Sequence, residues 1–201
     1  MNEIAPGIWH WTARHPRIRQ DVSSYFVAES STLLDPMVPP DAGLDWFRDG
    51  REPAAIALTN RHHHRDSERF VEAFGLGPVL VPESGLHEFE DKDLEVRGYG
   101  IGEELAPGIV CHDVGAICPD DMALEIRPAG AIALADGLIC YDGQLQFVPD
   151  QLMDDPENTK RGLTESLRAL LEIDFDVLLF AHGEPLAAGA KQALREFVDA
   201  R

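Results

Sequence analysis

Short apolar and β-branched runs alternate with polar, Gly- and Pro-containing stretches along the whole chain. Val22–Ala28 and Thr32–Asp35 favour strands and are separated by the polar residues Glu29–Ser31, which predicts a hairpin that Pro36, Pro39 and Pro40 then end. Ala55–Thr59 and Pro78–Val81 are continuous apolar runs, as expected of strands covered on both faces. Between them, Glu68–Phe74 predicts a helix with Phe70, Val71 and Phe74 on one side and Gly75 as its stop. Met122–Ile126, Ala131–Leu134 and Leu138–Tyr141 read as three further strands joined by turns. Asp155 followed by Pro156 opens a helix whose Leu163, Leu167, Leu170 and Leu171 share a face. Phe175–Phe180 is a buried strand ending at Ala181-His182-Gly183, and Ala190, Ala193, Leu194, Phe197 and Val198 define a last amphipathic helix. The order of elements predicts a layered α/β sandwich.

Length and composition set the frame for that sandwich. The 201 residues are 44% apolar and 26% charged, which suits one globular domain over 1–201. The 36 acidic and 17 basic residues leave a formal charge of −19, so nucleic acids and anionic membranes are excluded as partners unless positive charge is clustered. No stretch approaches the roughly 18 apolar residues of a membrane span, and the first residues lack a signal-peptide pattern. Cys111, Cys118 and Cys140 are too few and too far apart for a disulfide framework, so a cytoplasmic protein with reduced thiols is expected.

Thr59-Asn60-Arg61-His62-His63-His64-Arg65-Asp66-Ser67 directly follows a buried strand, where a rigid scaffold presents ligands. Imidazole is the commonest metal ligand, and in an extended loop His62, His64 and Asp66 would alternate onto one side. His182 and Asp136 occupy similar strand-end positions, so three separate strand ends each deliver a donor. Glu184 is a second carboxylate near His182, and His112 and Tyr141 are pocket-lining candidates. Arg61, Arg65 and the histidines make the loop locally positive in an acidic chain.

These residues resemble the metallo-β-lactamase-fold hydrolases, which include glyoxalase II-like and lactonase-like enzymes. Ile4–Trp9, Val22–Val27 and Leu33–Pro36 look like the first strands of that fold. The family motif Thr-His-x-His-x-Asp-His corresponds to Thr59 onward, its Gly-Asp to Ala135-Asp136, and its Gly-His-Gly-Pro to Ala181–Pro185. If Thr59 sets the register, Asn60, His62, His64 and Arg65 hold the four ligand positions; if His62 comes first, His62, His64 and Asp66 do, with Ser67 last. The third-loop histidine corresponds to Ala116, in the segment beginning at His112.

The resemblance implies an αββα sandwich of two mixed sheets flanked by helices. It also implies a reduced, mononuclear metal site of His62, His64, Asp136 and His182, with Asp136 as the catalytic group and Asn60, Arg65, Asp66, His112, Tyr141 and Glu184 around it. One zinc, iron or manganese ion would activate water against a small ester, thioester, lactone or phosphoester. The alternative is a non-catalytic descendant that binds no metal and holds a small anion or a partner.

Overall fold

The computed structural model describes residues 1–201. Seven strands form the first sheet in chain order: β1 (Asn2–Ala5), β2 (Ile8–Arg14), β3 (Asp21–Val27), β4 (Thr32–Leu34), β5 (Ala55–Ala57), β6 (Val79–Pro82) and β7 (Val96–Tyr99). The pairs from β1 to β4 are antiparallel and those from β4 to β7 parallel. Helix α1 (Ser67–Phe74) joins β5 to β6 and ends at Gly75, whose φ of 62° supplies the left-handed stop.

A second sheet contains β8 (Glu104–Ala106), β9 (Ile109–Asp113), β10 (Met122–Ile126), β11 (Ala131–Leu134) and β14 (Val177–Phe180), in the order β14-β11-β10-β9-β8. Only β11 and β14 run parallel within it. The third expected strand of this half, β12 (Ile139–Tyr141), leaves the sheet and pairs with β13 (Gln144–Gln146) as a separate hairpin. Helices α2 (Pro156–Leu170) and α3 (Ala190–Asp199) cover the second sheet. The side chain of Asp155 accepts from the Asn158 amide, so the Asp-Pro start works as a cap.

Period-2 alternation decides the layers. Tyr25 and Val27 of β3 face inward and meet Leu124 and Ile126 of β10, Ala131 and Ala133 of β11, and Val177 and Leu179 of β14 between the sheets. The intervening residues face the helices: Phe26 packs with Phe47 and Phe70 on one side, and Ile132, Leu134, Leu178 and Phe180 with Leu163, Leu167, Leu194 and Phe197 on the other. The result is helix, sheet, sheet, helix. A one-residue slip in β11 or β14 would exchange the faces, so burial on both sides fixes the register. β5 and β14 are short and wholly apolar because both their faces are covered. No helix is long and apolar enough to cross a membrane.

Hydrogen bonds within the first sheet and between the two sheets tie the strands together at one end. Tyr25 Oη donates to Phe180 O at 2.8 Å, Tyr99 Oη to Leu58 O at 2.5 Å, and the Met122 amide to Thr59 O at 3.0 Å. The ends of β5 and β14 and the start of β10 are therefore held to β3 and β7, and the loops beside them converge.

Candidate metal centre

His63, Asp136 and His182 lie at this end, and one donor atom from each falls within 4.8 Å of the others. His63 Nε2 is 3.3 Å and His182 Nε2 is 3.2 Å from Asp136 Oδ1. Neither ring meets that oxygen in hydrogen-bond geometry, and Asp136 Oδ1 is buried without a partner. Donors ~2.1 Å from a tetrahedral ion stand about 3.4 Å apart, so these separations are those of ligands sharing one ion.

The local fold explains why His63 is the inward histidine. Asn60 caps a 3-10 turn over Arg61–His64, its Oδ1 accepting the His62 amide at 2.9 Å. The segment therefore does not alternate as an extended loop would. His63, four residues after Thr59, comes back over it, with Thr59 Oγ1 3.1 Å from His63 Nδ1. His62 is exposed at the cleft rim, and His64 is half-buried with its ring edge-on to Phe89 at 5.9 Å. The sequence expectation grouped His62 and His64 with Asp136 and His182; the structure groups His63 with them.

Asp35 completes the support. Beyond the end of β4 its carboxylate accepts the Thr59 amide at 2.8 Å, Thr59 Oγ1 at 2.5 Å and His63 Nδ1 at 3.0 Å. A carboxylate only accepts, so Nδ1 carries the proton and a neutral His63 turns the Nε2 lone pair towards Asp136 and His182. This carboxylate–imidazole arrangement is how metal-binding histidines are oriented. Burial alone would lower the His63 imidazolium pKa, but Asp136 and Asp35 override it and raise it to about 9. Burial likewise opposes ionisation of Asp136 and Asp35, yet their partners, His63 first, hold Asp136 well below the usual carboxylate range and Asp35 below it. Asp35 has φ of 46° and Arg65 φ of 45°, two non-glycine residues in a strained conformation within one site.

The other sequence candidates fall into place around this group. Arg65 is turned inward, and its guanidinium donates to Ser23 O at 2.5 Å, Asp35 O at 2.7 Å and Ala181 O at 3.4 Å. It ties β3, β4 and β14 together, so these donors are engaged by the main chain rather than free for a ligand anion. Asp66 immediately precedes α1 and accepts the Val38 amide at 2.7 Å, which anchors the loop after β4. His112 pairs with Glu125 at 2.8 Å on neighbouring strands. Tyr141 lines the cleft that opens over Asp136 and His182. Glu184 is exposed beyond Gly183.

Two acids escaped the sequence reading. Asp120 and Asp121 are both fully buried before β10. Asp120 accepts the Arg61 amide at 2.9 Å and pairs with its guanidinium, which fixes the start of the histidine turn. Asp121 Oδ1 accepts the Asp136 amide at 3.0 Å and so places that loop. Burial first, then the Asp136 charge, pushes the Asp121 carboxyl up to about 8, so it is largely neutral at pH 7. The sequence signal available was the adjacency of two acids before an apolar strand; for His63 it was the i, i+4 spacing from Thr59.

No protein-family model matches the chain, and no curated protein matches it by sequence. Solved structures do match. An archaeal metallo-β-lactamase superfamily protein from Sulfolobus tokodaii superposes with a TM-score of 0.71 at 17% identity, covering 96% of this chain and 85% of that one. The DIM-1 metallo-β-lactamase gives 0.72 at 14% identity, covering 99% and 96%.

The chain has the metallo-β-lactamase fold. A third structure of this fold, solved in a di-iron-bound form, gives a TM-score of 0.67 at 22% identity and covers 91% of this chain and 96% of its own. Against the metallo-β-lactamase-fold motif, Thr59 lies two residues past the end of β5, and neither Asn60 nor Arg65 joins the donor group. Asn60 is spent on capping its turn and on Cys118 Sγ at 3.3 Å.

Proposed function

We propose that this metallo-β-lactamase-fold protein hydrolyses a small ester, thioester, lactone or phosphoester at a centre built for one divalent transition metal, zinc first, with iron or manganese as alternatives. His63, His182 and Asp136 are the residues proposed to hold it. One observation carries the reading: two imidazole nitrogens converge at 3.2–3.3 Å on one buried carboxylate oxygen that has no hydrogen-bond partner, and Asp35 accepts from His63 Nδ1, which in the neutral ring leaves Nε2 free. An ion held there would polarise a carbonyl or phosphoryl oxygen and acidify water. The chain's own residues do the rest. Ionised Asp136 orients the attacking water, His62 at the rim contacts the substrate, and Asp121 holds the Asp136 loop in place. The water oxygen bonds to carbon or phosphorus, the bond to the leaving oxygen or sulfur breaks, and the water proton ends on the leaving atom. The three free cysteines are in keeping with a reducing, cytoplasmic setting.

A second reading is favoured by the pair of carboxylates on His63. Without a metal, a protonated His63 between Asp35 and Asp136 forms a charge-compensated cluster, which suits a non-catalytic protein that binds a small anion or a partner. Elemental analysis of tag-free protein, prepared separately with zinc, iron and manganese, separates the two. The hydrolase reading expects about one ion per chain, lost in His63→Ala and His182→Ala and kept in His64→Ala. Absence of metal under every loading, or full occupancy in His63→Ala, would overturn it.

A further inference from the structure

The cleft above Asp136 and His182 has two lobes of opposite character. One, of about 600 Å³, is walled by Ile18, Ile117, Ile139, Tyr141, Val148 and Leu152. The chain exposes four large hydrophobic side chains, and three of them, Ile18 (51%), Tyr141 (42%) and Leu152 (67%), line this lobe, Tyr141 on its side alone and the other two where it meets the second lobe. Apolar side chains left in water around a concave site mark a surface that is covered when ligand binds. The other lobe, of about 530 Å³, is lined by Arg17, Lys92, His15, His62 and His64. Arg17 and Lys92 have no carboxylate partner within 4.0 Å, whereas neighbouring Arg61 is held by Asp120 and reached by Glu88 at 4.0 Å. Two uncompensated cations in a chain of net charge −19 make a local preference for negative charge that the rest of the surface opposes. Ile18, Leu152, Arg61, His62, Asp136 and His182 belong to both lobes, so the donor group sits where they join, while Arg17 and Lys92 line the second lobe alone.

We infer that the substrate is an amphipathic ester or thioester, with a medium-length apolar acyl chain in the first lobe and an anionic leaving group in the second. This deepens the hydrolase reading and rests on it. The carbonyl carbon lies at the junction; water adds to it, the acyl–oxygen or acyl–sulfur bond breaks, and the proton from water ends on the departing anionic fragment. Leu152 and Ile18 set chain-length preference, and Arg17 and Lys92 set preference for charge.

A two-by-two panel tests this: phenyl acetate, phenyl octanoate, para-acetoxybenzoate and para-octanoyloxybenzoate, each rate on the metal-loaded full-length protein divided by its rate in buffer. The expected kcat/KM for para-octanoyloxybenzoate exceeds that of either single-feature ester by about tenfold or more. Leu152→Gln should erase the octanoyl preference and keep the carboxylate preference; Arg17→Glu with Lys92→Glu should do the reverse. Equal normalised rates across the panel, or variants that change all four esters alike, would overturn the inference while leaving hydrolysis standing. If no ester turns over, calorimetry with para-octanamidobenzoate decides. Binding that weakens in both sets of variants supports the two lobes although the hydrolase reading has failed, and absence of binding overturns them as well.

Discussion

Asp35→Asn tests the tautomer on which the metal centre depends. The carboxamide has nearly the shape of the carboxylate, and its oxygen can still accept the Thr59 amide, now at 2.8 Å. Its nitrogen then faces Thr59 Oγ1 and His63 Nδ1, now 2.5 Å and 3.0 Å from the second oxygen. An NH₂ group cannot accept from Nδ1–H, so the imidazole moves its proton to Nε2, the atom proposed to bind the ion. Loss of such a supporting carboxylate costs about 10–100-fold in metal affinity, or roughly 1.4–2.7 kcal/mol. Metal-free stability should suffer less. His63 titrates at about 9, so at pH 8 its protonation contributes only about 1.4 kcal/mol, and the imidazole can shed that proton when Asp35 is neutralised. The assay is zinc competition against a chromophoric chelator at pH 8, with chemical denaturation of the metal-free protein alongside. A folded Asp35→Asn protein that binds zinc within about threefold of the parent would refute the reasoning.

In metal-free protein the His63–Asp35–Asp136 cluster should contribute most to stability between about pH 4 and 6.5. The His63 pKa is raised on folding from 6.5 to about 9, so its contribution is full below 6.5 and lost by 9, roughly 3 kcal/mol at most. Asp35 and Asp136 are depressed on folding, so their contribution is present above the ordinary carboxylate range and lost as pH falls; denaturant melts of chelator-treated protein that show stability rising from pH 6.5 to 9 would contradict this. Gly183→Ala should both destabilise the chain and disturb the site. Gly183 has φ of 92° and a Cβ there would lie 1.7 Å from Cys140 O, so the loop carrying His182 must move; conformation alone costs about 1–2 kcal/mol, and thermal unfolding with metal analysis should show lower Tm and lower occupancy together.

The layers were legible because each strand's alternation is local. Leu178 and Phe180 against Val177 and Leu179 already carry two faces, and the Leu163-Leu167-Leu170 stripe carries one. The same pattern finds β12 but not its partner, since Leu138–Tyr141 reads as a strand whichever neighbour it meets, and it pairs with β13 rather than the main sheet. The histidine turn was the harder case. Its residue types were plain, but the side that faces inward depends on period, and the Asn60 cap changes that period from two to about three. Asp35 was read only as part of the opening strands, because its role needs β4 and β5 to lie parallel, with Leu34 opposite Ala57, so that the next residues bring Asp35 to Thr59.

Charge balance then limits what the centre can hold. Asp35 and Asp136 are ionised, Asp121 is largely neutral at pH 7, and Arg65 supplies a permanent positive charge bound to the main chain of β3, β4 and the end of β14. One further positive charge makes the group neutral, and the His63 proton provides it when no ion is present. A single divalent ion that displaces this proton leaves the group at +1. A second ion would bring it to +3 with no remaining ionised carboxylate in the group to offset it, and Arg65 cannot shed its charge. The net −19 of the chain does not relieve this, because surface carboxylates are screened within about 10 Å at ordinary salt. Under the proposed function, the same Arg65 that locks three strand ends would disfavour a second cation, and the competing proton on His63 would make occupancy fall as pH falls.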